Sequence, residues 1–422
     1  MQVKCPTNKG LKTLTKTLFN LELKVDAIKV DKKQTFKIMK QFNILNIPRL
    51  KPIINYSTYN LILLSSPTPD STYSPIIHTL HLDYDYWSVN DILSSILPDN
   101  LTPPSGFQTI GHIAHFNLDD SLQEYKHIIG EVIHSKYENI KTVISKTDSI
   151  SNEFRVFKFD LLFGDDDYKT TVTESKCLFQ LDYEKCYWNS KLSTEHDRII
   201  KSIDSNHIVC DVFGGIGPFS VPLSKSGTIC FTNDKNPDSF KYLEKNIILN
   251  KVAHLIVPYN LDGRDFIKKS LLDLNSGVVN TLHERYLHPK TRHGDIKTPT
   301  FKTIKNDEFN SFDVYIMNLP AIAIEFLDAF QGLYSSFNAD VIKQPTVYVY
   351  CFSKEKDSVK QKQDVLGRIE DVLKCELGND FISIHTVRNV APNKDMLCVC
   401  FKVPVSVLIK KEECNKKRRV EA

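Results

Sequence analysis

Three glycines and one acid set the first chemical expectation. Gly214, Gly215 and Gly217 follow the apolar run Ile208 to Phe213, and a turn without Cβ atoms lets backbone come close to a ligand. Asp234 ends a second apolar run, Gly227 to Asn233, where a carboxylate can bridge two ribose hydroxyls. The elements that must position them are legible. Pro218 to Lys225 predicts a helix, and a further helix follows Asn236 as N-cap and Pro237 as first residue, with Phe240, Leu243, Ile247 and Ile248 at helical spacing. Strand, glycine turn, helix, strand, acid, helix is the order of a nucleotide-binding half-fold. The dinucleotide fingerprint is missed, because the third glycine position counted from Gly215 is Ser220.

A second motif discriminates between nucleotide ligands. Met317 to Ala321 reads MNLPA at the end of the apolar strand Val314 to Met317. Its Asn-Leu-Pro resembles the tetrad that S-adenosylmethionine-dependent methyltransferases place beside the methyl group, where an asparagine amide holds the ring to be methylated. Alone, Asn318 and Pro320 are equally explained as a strand-to-helix turn. With the glycine turn upstream in the right order, the methyl-transfer reading leads.

Composition bounds the rest. A chain of 422 residues, 41% hydrophobic and 25% charged, can bury a large core and is expected to form two or three domains. A net charge of +3 excludes a histone-like polycation and leaves room for a local basic groove. The ten cysteines include no CxxC pair, and Cys210, Cys230, Cys398 and Cys400 lie in apolar runs, as buried thiols of a reducing compartment would. His112 and His115 are three apart on an expected strand, so their side chains diverge and no metal site is expected. The apolar runs fall short of membrane-spanning length, so no membrane partner is expected.

Along the chain, residues 1–104 read as a small accessory domain with loops at Ser65 to Ser74 and Pro98 to Ser105. Residues 105–186 read as an α+β middle domain, with a helix at Tyr125 to Lys136, an apolar strand at Phe154 to Phe163 interrupted by Arg155, and further strands up to Tyr187. Residues 187–410 carry the nucleotide-binding fold, and residues 411–422 form a basic tail. The expected fold class is therefore α/β, a doubly wound Rossmann-like C-terminal domain preceded by two smaller α+β domains. A long connection between Asp262 and Asp313 carries Lys290, Arg292, Lys297, Lys302 and Lys305, a solvated basic insertion. In the bridge Tyr187 to Arg198, YWNSKLSTEHDR, Ser193 or Thr194 is expected to cap a helix beginning at Glu195 if the stretch is merely structural.

Seven stretches together carry a sharper resemblance: GHIAHFNL, EFRVFKFDLLFG, YWNSKLSTEH, DVFGGIGPF, NDKNP, MNLPAIAIEFLDAF and VRNVAPNKDMLC. The chain resembles the archaeal and eukaryotic type of tRNA (guanine(37)-N(1))-methyltransferase over most of its length from Gly106 onward, and CPTNKGLKTLTKTLF resembles that family's opening. The resemblance implies S-adenosylmethionine as donor and tRNA with guanosine at position 37 as substrate. It implies a tRNA-contacting role for the N-terminal domain, a monomer, and a cytoplasmic location with nuclear and mitochondrial matrix pools left open. Arg155 matches the arginine at guanine O6, Glu195 the general base, Asn318 and Pro320 the pair holding the target base, and Tyr187 a tyrosine near the site. His196, Asp211, Gly215, Gly217, Asp234, Lys235, Asp262, Gly263 and Asn318 match positions around the methyl donor. Ser190 and Lys191 replace the family's usual proline and arginine, and Gly214 stands where alanine is usual, a change expected only to loosen the turn.

The chemistry fits these groups. Guanine N1 is protonated at neutral pH and becomes nucleophilic only when that proton leaves, which pushes charge onto O6; a base near N1 and a cation near O6 answer both needs. Glu195 and Arg155 are that pair, and Tyr187 or Trp188 can stack on a base turned out of the anticodon loop. Two alternatives stay open: a catalytically inactive tRNA-binding protein of the same fold, and a methyltransferase acting on another nucleobase.

Overall fold

The computed structural model describes residues 3–67, 73, 75–147, 156, 158–280, 310–337 and 343–409. Arg155, the basic insertion residues Lys290 to Lys305 and the tail 411–422 lie outside the described residues. The described chain falls into two compact units that part between Tyr168 and Lys169.

The first unit holds two four-stranded sheets. β1 (Leu21–Val30), β2 (Ile53–Asn55), β3 (Asn60–Leu64) and β4 (Ile76–Leu82) are antiparallel in the order β2-β3-β1-β4. β5 (Gln108–Ile110), β6 (Ile113–Phe116), β7 (Thr142–Lys146) and β8 (Phe159–Gly164) form a mixed sheet in chain order. α1 (Thr35–Met39) follows β1, and α2 (Val89–Ile96) and α3 (Lys126–Lys136) share a cluster of Ile92, Leu93, Ile129 and Val132. A reciprocal Ser88–Asp91 capping box starts α2.

The second unit begins with the hairpin of β9 (Lys169–Glu174) and β10 (Cys177–Asp182), whose two turn residues, Ser175 and Lys176, both have positive φ, the geometry that matches strand twist. Then follow α4 (Ser193–Ser202), β11 (Ile208–Asp211), α5 (Ser220–Lys225), β12 (Ile229–Asn233), α6 (Pro237–Leu249), β13 (Ile256–Tyr259), α7 (Gly263–Asn275), β14 (Val314–Met317), β15 (Thr346–Ser353), α8 (Ser358–Leu373), β16 (Phe381–Ala391) and β17 (Lys394–Lys402). The sheet runs β13-β12-β11-β14-β15-β17-β16, parallel through β15, with β17 antiparallel to both neighbours. Winding reverses between β11 and β14, which makes the carboxyl ends of those strands the natural ligand crevice. The doubly wound α/β expectation is met.

Pairs in register share a face, so the sheet sorts its residues. Cys210, Phe231, Met317, Val349 and Val399 pack against Phe266 and Ile267 of α7 and Val365 and Ile369 of α8. Asp211, Thr232, Ile316, Tyr348 and Tyr350 alternate with them and face the other layer, where Tyr350 and Tyr348 meet Glu195 and Ser202 of α4.

The expected middle domain, residues 105–186, is divided by this arrangement: β5 to β8 belong to the first unit, whereas β10 is bonded to α6 of the second. Asn250 Oδ1 accepts from the Leu178 N–H at 3.0 Å while its Nδ2 donates to the Leu178 carbonyl at 2.7 Å. One helical turn earlier, Asn246 treats Gln180 the same way, at 2.8 and 3.1 Å. The two amides occupy the free edge of β10 as a neighbouring strand would. Asn246 also donates to the Ile216 carbonyl of the glycine turn at 3.1 Å, joining hairpin and turn. Replacing this fully buried side chain, Asn246→Ala, removes three hydrogen bonds and is expected to cost about 3 kcal/mol. Urea unfolding of the full chain measures it; an unmoved midpoint would mean that water replaces the amide.

Candidate active site

β11 ends on Asp211, and the chain leaves the sheet through the three glycines. The Gly214 N–H donates to the Asn233 carbonyl at 2.7 Å and the Gly217 N–H to the Gly214 carbonyl at 2.8 Å, so the turn is tied both to β12 and to itself. Gly215 and Gly217 have φ of 55° and 99°, the left-handed region that favours glycine. A Cβ at Gly217 would stand 2.8 Å from Val221, whereas one at Gly215 would meet nothing within 4 Å, so the turn's open side is at Gly215. Gly214 does more than loosen the turn: a Cβ there would lie 2.3 Å from Thr232 Cγ2 and 3.0 Å from Asp211 Oδ2. In this chain the Thr232 methyl occupies the space that an alanine at position 214 would need.

The acids are held in different ways. Asp234 accepts from the Gly215 N–H and the Asn236 N–H, each at 2.9 Å, yet burial pushes its carboxyl up to about 6. Asp211 is fully buried with no hydrogen-bond partner on either oxygen among the described residues, and burial, with the charge of Asp234 nearby, pushes it far above the usual carboxylate range. Asp262 is the N-cap of α7, accepting from the Arg264 N–H at 3.0 Å, and Lys235 Nζ lies 3.5 Å from it. Gly263 sits against the edge-to-face pair Phe213 and Phe326, where a Cβ would come within 2.9 Å of Phe213. Thus Asp211, Gly215, Gly217, Asp234, Lys235, Asp262 and Gly263 gather at the carboxyl ends of β11, β12 and β13. The buried amide of Asn233 braces them, donating to the Val212 and Leu261 carbonyls at 3.1 Å each and accepting from the Leu261 N–H at 2.8 Å.

Asn318 and Pro320 leave the carboxyl end of β14, beside β11. Both are half-buried, and the Asn318 amide makes no hydrogen bond among the described residues. The register Met317 to Val349 carries Asn318 alongside Tyr350, whose hydroxyl donates to Glu195 Oε1 at 2.8 Å. Glu195 is 5% exposed and is forked by Arg198, whose Nε and Nη2 donate to Oε2 and Oε1 at 2.7 Å each, and His385 Nε2 lies 3.5 Å from Oε2. The fork pushes the Arg198 guanidinium up.

His196 turns elsewhere. It is buried, its Nδ1 is 2.5 Å from Glu174 Oε1 on β9, and its ring meets Phe219 edge-on at 4.7 Å. Tyr187 is exposed and available to a base, whereas Trp188 is buried against Phe179 at 5.5 Å and cannot stack on one. The capping expectation for Ser193 and Thr194 also fails: α4 begins at Ser193 with Leu192 as N-cap and no side-chain cap bond, because a 3-10 turn, Ser190–Leu192, already leads into it. Tyr350, His385, Glu174, Asn233 and Arg198 were not anticipated from sequence; only Arg198 had a signal, its spacing of three from Glu195 on a helix. Among the described residues no group of three or more His, Cys, Asp or Glu is placed to hold a metal ion.

Residues 170–292 match a family model described as the TRM5/TYW2 methyltransferase domain, and residues 89–167 one described as the TYW2 N-terminal domain, so the matches meet where the two units part. A protein of Batrachochytrium dendrobatidis named tRNA (guanine(37)-N(1))-methyltransferase is 42% identical over 98% of this chain and 93% of its own. One of the same name from Schizosaccharomyces pombe is 39% identical over 95% of this chain and 96% of its own. Among solved structures, Trm5b from Pyrococcus abyssi superposes with a TM-score of 0.57 at 22% identity, covering 90% of this chain and 99% of that one. The aTrm5 chain solved with tRNALeu gives 0.60 at 22% identity, covering 90% and 100%. These structures share the fold.

Two outcomes follow from the turn. Gly214→Ala should destabilise the chain by about 1–3 kcal/mol through overpacking, and Thr232→Ser, which removes the opposing methyl, should recover most of it in a double-mutant cycle; additive costs would refute the contact. Asp234 keeps its proton up to about pH 6 in the folded chain and to its ordinary 3.8 when unfolded, so the native state binds more protons between these values. Its stabilising contribution is therefore present below the lower value and lost as pH rises through the upper one. Wild-type unfolding free energy minus that of Asp234→Asn should fall by roughly 2–3 kcal/mol from pH 4 to 7; a flat difference would refute it.

Proposed function

This chain belongs to the tRNA (guanine(37)-N(1))-methyltransferase family, and from that premise we propose that it transfers the methyl group of S-adenosylmethionine to N1 of guanosine 37 in tRNA. The observation that carries the reading is the placement of an asparagine amide unbonded among the described residues, Asn318, one strand away from Tyr350, whose hydroxyl holds the buried carboxylate of Glu195.

The donor fits the residues present. Gly215 leaves open space over the turn, and Asp234 turns a carboxylate toward that turn, an acceptor matched to ribose hydroxyls. Lys235, Asp262 and Gly263 complete the edge of that cradle, with Phe213 and Phe326 as apolar wall. Bound there, S-adenosylmethionine supplies an electrophilic methyl on a sulfonium centre.

The chain's own side chains do the rest. The Asn318 amide and the rigid turn at Pro320 hold the edge of the flipped guanine, and Tyr187, exposed at the start of the bridge, is a stacking surface. Glu195 accepts the N1 proton. Arg198 and Tyr350 hold its carboxylate in one orientation, so ordering costs nothing at the moment of reaction. Arg155 is proposed as the donor to O6 from its place in the EFRVF stretch. His196, which the family resemblance sets at the donor, acts here by clasping Glu174 of the hairpin.

Unmodified tRNA bearing guanosine at position 37, incubated with labelled donor, should yield N1-methylguanosine on nucleoside analysis; absence of label would favour the inactive RNA-binding alternative. In single-turnover assays at saturating donor and tRNA, Glu195→Gln and Arg155→Ala should each slow transfer by roughly a hundredfold or more, with donor and tRNA affinity near normal. A wild-type rate for Glu195→Gln would leave that residue only its ion pair with Arg198.

A further inference from the structure

We propose that His385 carries the proton away from the site, accepting it from Glu195 Oε2 and passing it to solvent; this rests on Glu195 being the base, as read above. The two carboxylate oxygens are not equivalent. Oε1 already accepts from Arg198 Nη2 at 2.7 Å and from the Tyr350 hydroxyl at 2.8 Å. Oε2 accepts from Arg198 Nε at 2.7 Å, and its remaining neighbour among the described residues is His385 Nε2 at 3.5 Å. A proton arriving from the substrate therefore finds its lone pair on Oε2, the oxygen on the histidine side.

Of the groups around that carboxylate, His385 alone can take the proton onward. Arg198 is a cation held in its fork. Tyr350 and Cys398 keep their protons, pushed up by burial. The imidazole has a basic lone pair, and it also has an exit: its side chain is 46% exposed, that of Glu195 5%. The sheet register builds this path. Cys398 pairs with Tyr350 on one side and with His385 on the other, so the three span β15, β17 and the last strand, β16, on the face that α4 covers.

The bonds balance. The N1–H bond breaks as Oε2–H forms, and the N1 electron pair takes the methyl carbon as its bond to sulfur breaks. Oε2–H then breaks as Nε2–H forms on the neutral imidazole, and the Nδ1 proton leaves to water. Each transfer turns a sulfonium into a neutral thioether and so releases one proton to solvent. His385 acts through Glu195 and never touches the base.

The test compares two clocks in one experiment: rapid-quench methylation and proton release, followed with a pH indicator in weak buffer, at saturating S-adenosylmethionine and unmodified tRNA. In the wild type the two should coincide. In His385→Asn, and in His385→Gln as a second variant, proton appearance should fall behind methyl transfer by about tenfold or more, and added imidazole should close the gap, which repair of a structural defect would not do. Proton release that keeps pace with methylation in both variants, or a lag that imidazole leaves untouched, overturns the relay. Glu195→Gln run alongside separates the two ideas: if it methylates at the wild-type rate the base assignment itself fails, whereas a slow Glu195→Gln with synchronous His385 variants removes only the relay.

Discussion

Everything at the site depends on a property of parallel strands: their carboxyl ends lie along one edge of the sheet. β11, β12, β14 and β15 are parallel neighbours, so Asp211, Asp234, Asn318 and Tyr350 come into line although far apart in the chain. The pleat then decides which of them look at each other. Asp211 pairs with Ile316, which pairs with Tyr348, and this row faces α4 and α5 while the intervening row closes the core. A slip of one residue between β14 and β15 would send Tyr350 into that core and leave Glu195 without its hydroxyl.

Within this frame three carboxylates, Asp211 and Glu195 buried and Asp234 half-buried, sit in three electrostatic settings. Among the described residues Asp211 has no donor, Asp234 has two backbone N–H groups, and Glu195 has a guanidinium fork and a phenol. Burying an anion is costly unless it is paired, so these settings differ in how much charge the site tolerates. The fork around Glu195 fixes its orientation, which suits a group whose partner must be met at a fixed distance and angle.

The fold was legible where local pattern and buried position coincide. The apolar runs Ile208–Asp211, Ile229–Asn233 and Val314–Met317 are wholly buried strands, and Asn236 and Pro237 cap and open α6 as their types predict. The clustering of Asp211, Gly215, Gly217 and Asp234 was legible for the same reason, since glycine turn, acid and strand end follow one another in sequence. What stayed hidden came from long-range pairing. Tyr350 and His385 reach Glu195 only through the register of β15, β17 and β16, and Glu174 reaches His196 only because the hairpin folds back; neither leaves a periodic trace. The expected domain edge at 186 falls instead at 168, because side-chain amides of α6 and its C-cap bond β10 along its edge, a long-range pairing that local texture does not show.

That asparagine clasp governs how the catalytic half can be excised. A fragment opened at Tyr187 would lose the strand that Asn246 and Asn250 cover, stripping each amide of its two bonds to β10 and leaving the Ile216 turn less braced. A fragment opened at Lys169 keeps the hairpin, the Glu174–His196 clasp and the turn as one piece. The hairpin, ahead of the motif that looks like the first working part, is therefore structurally part of the nucleotide-binding fold.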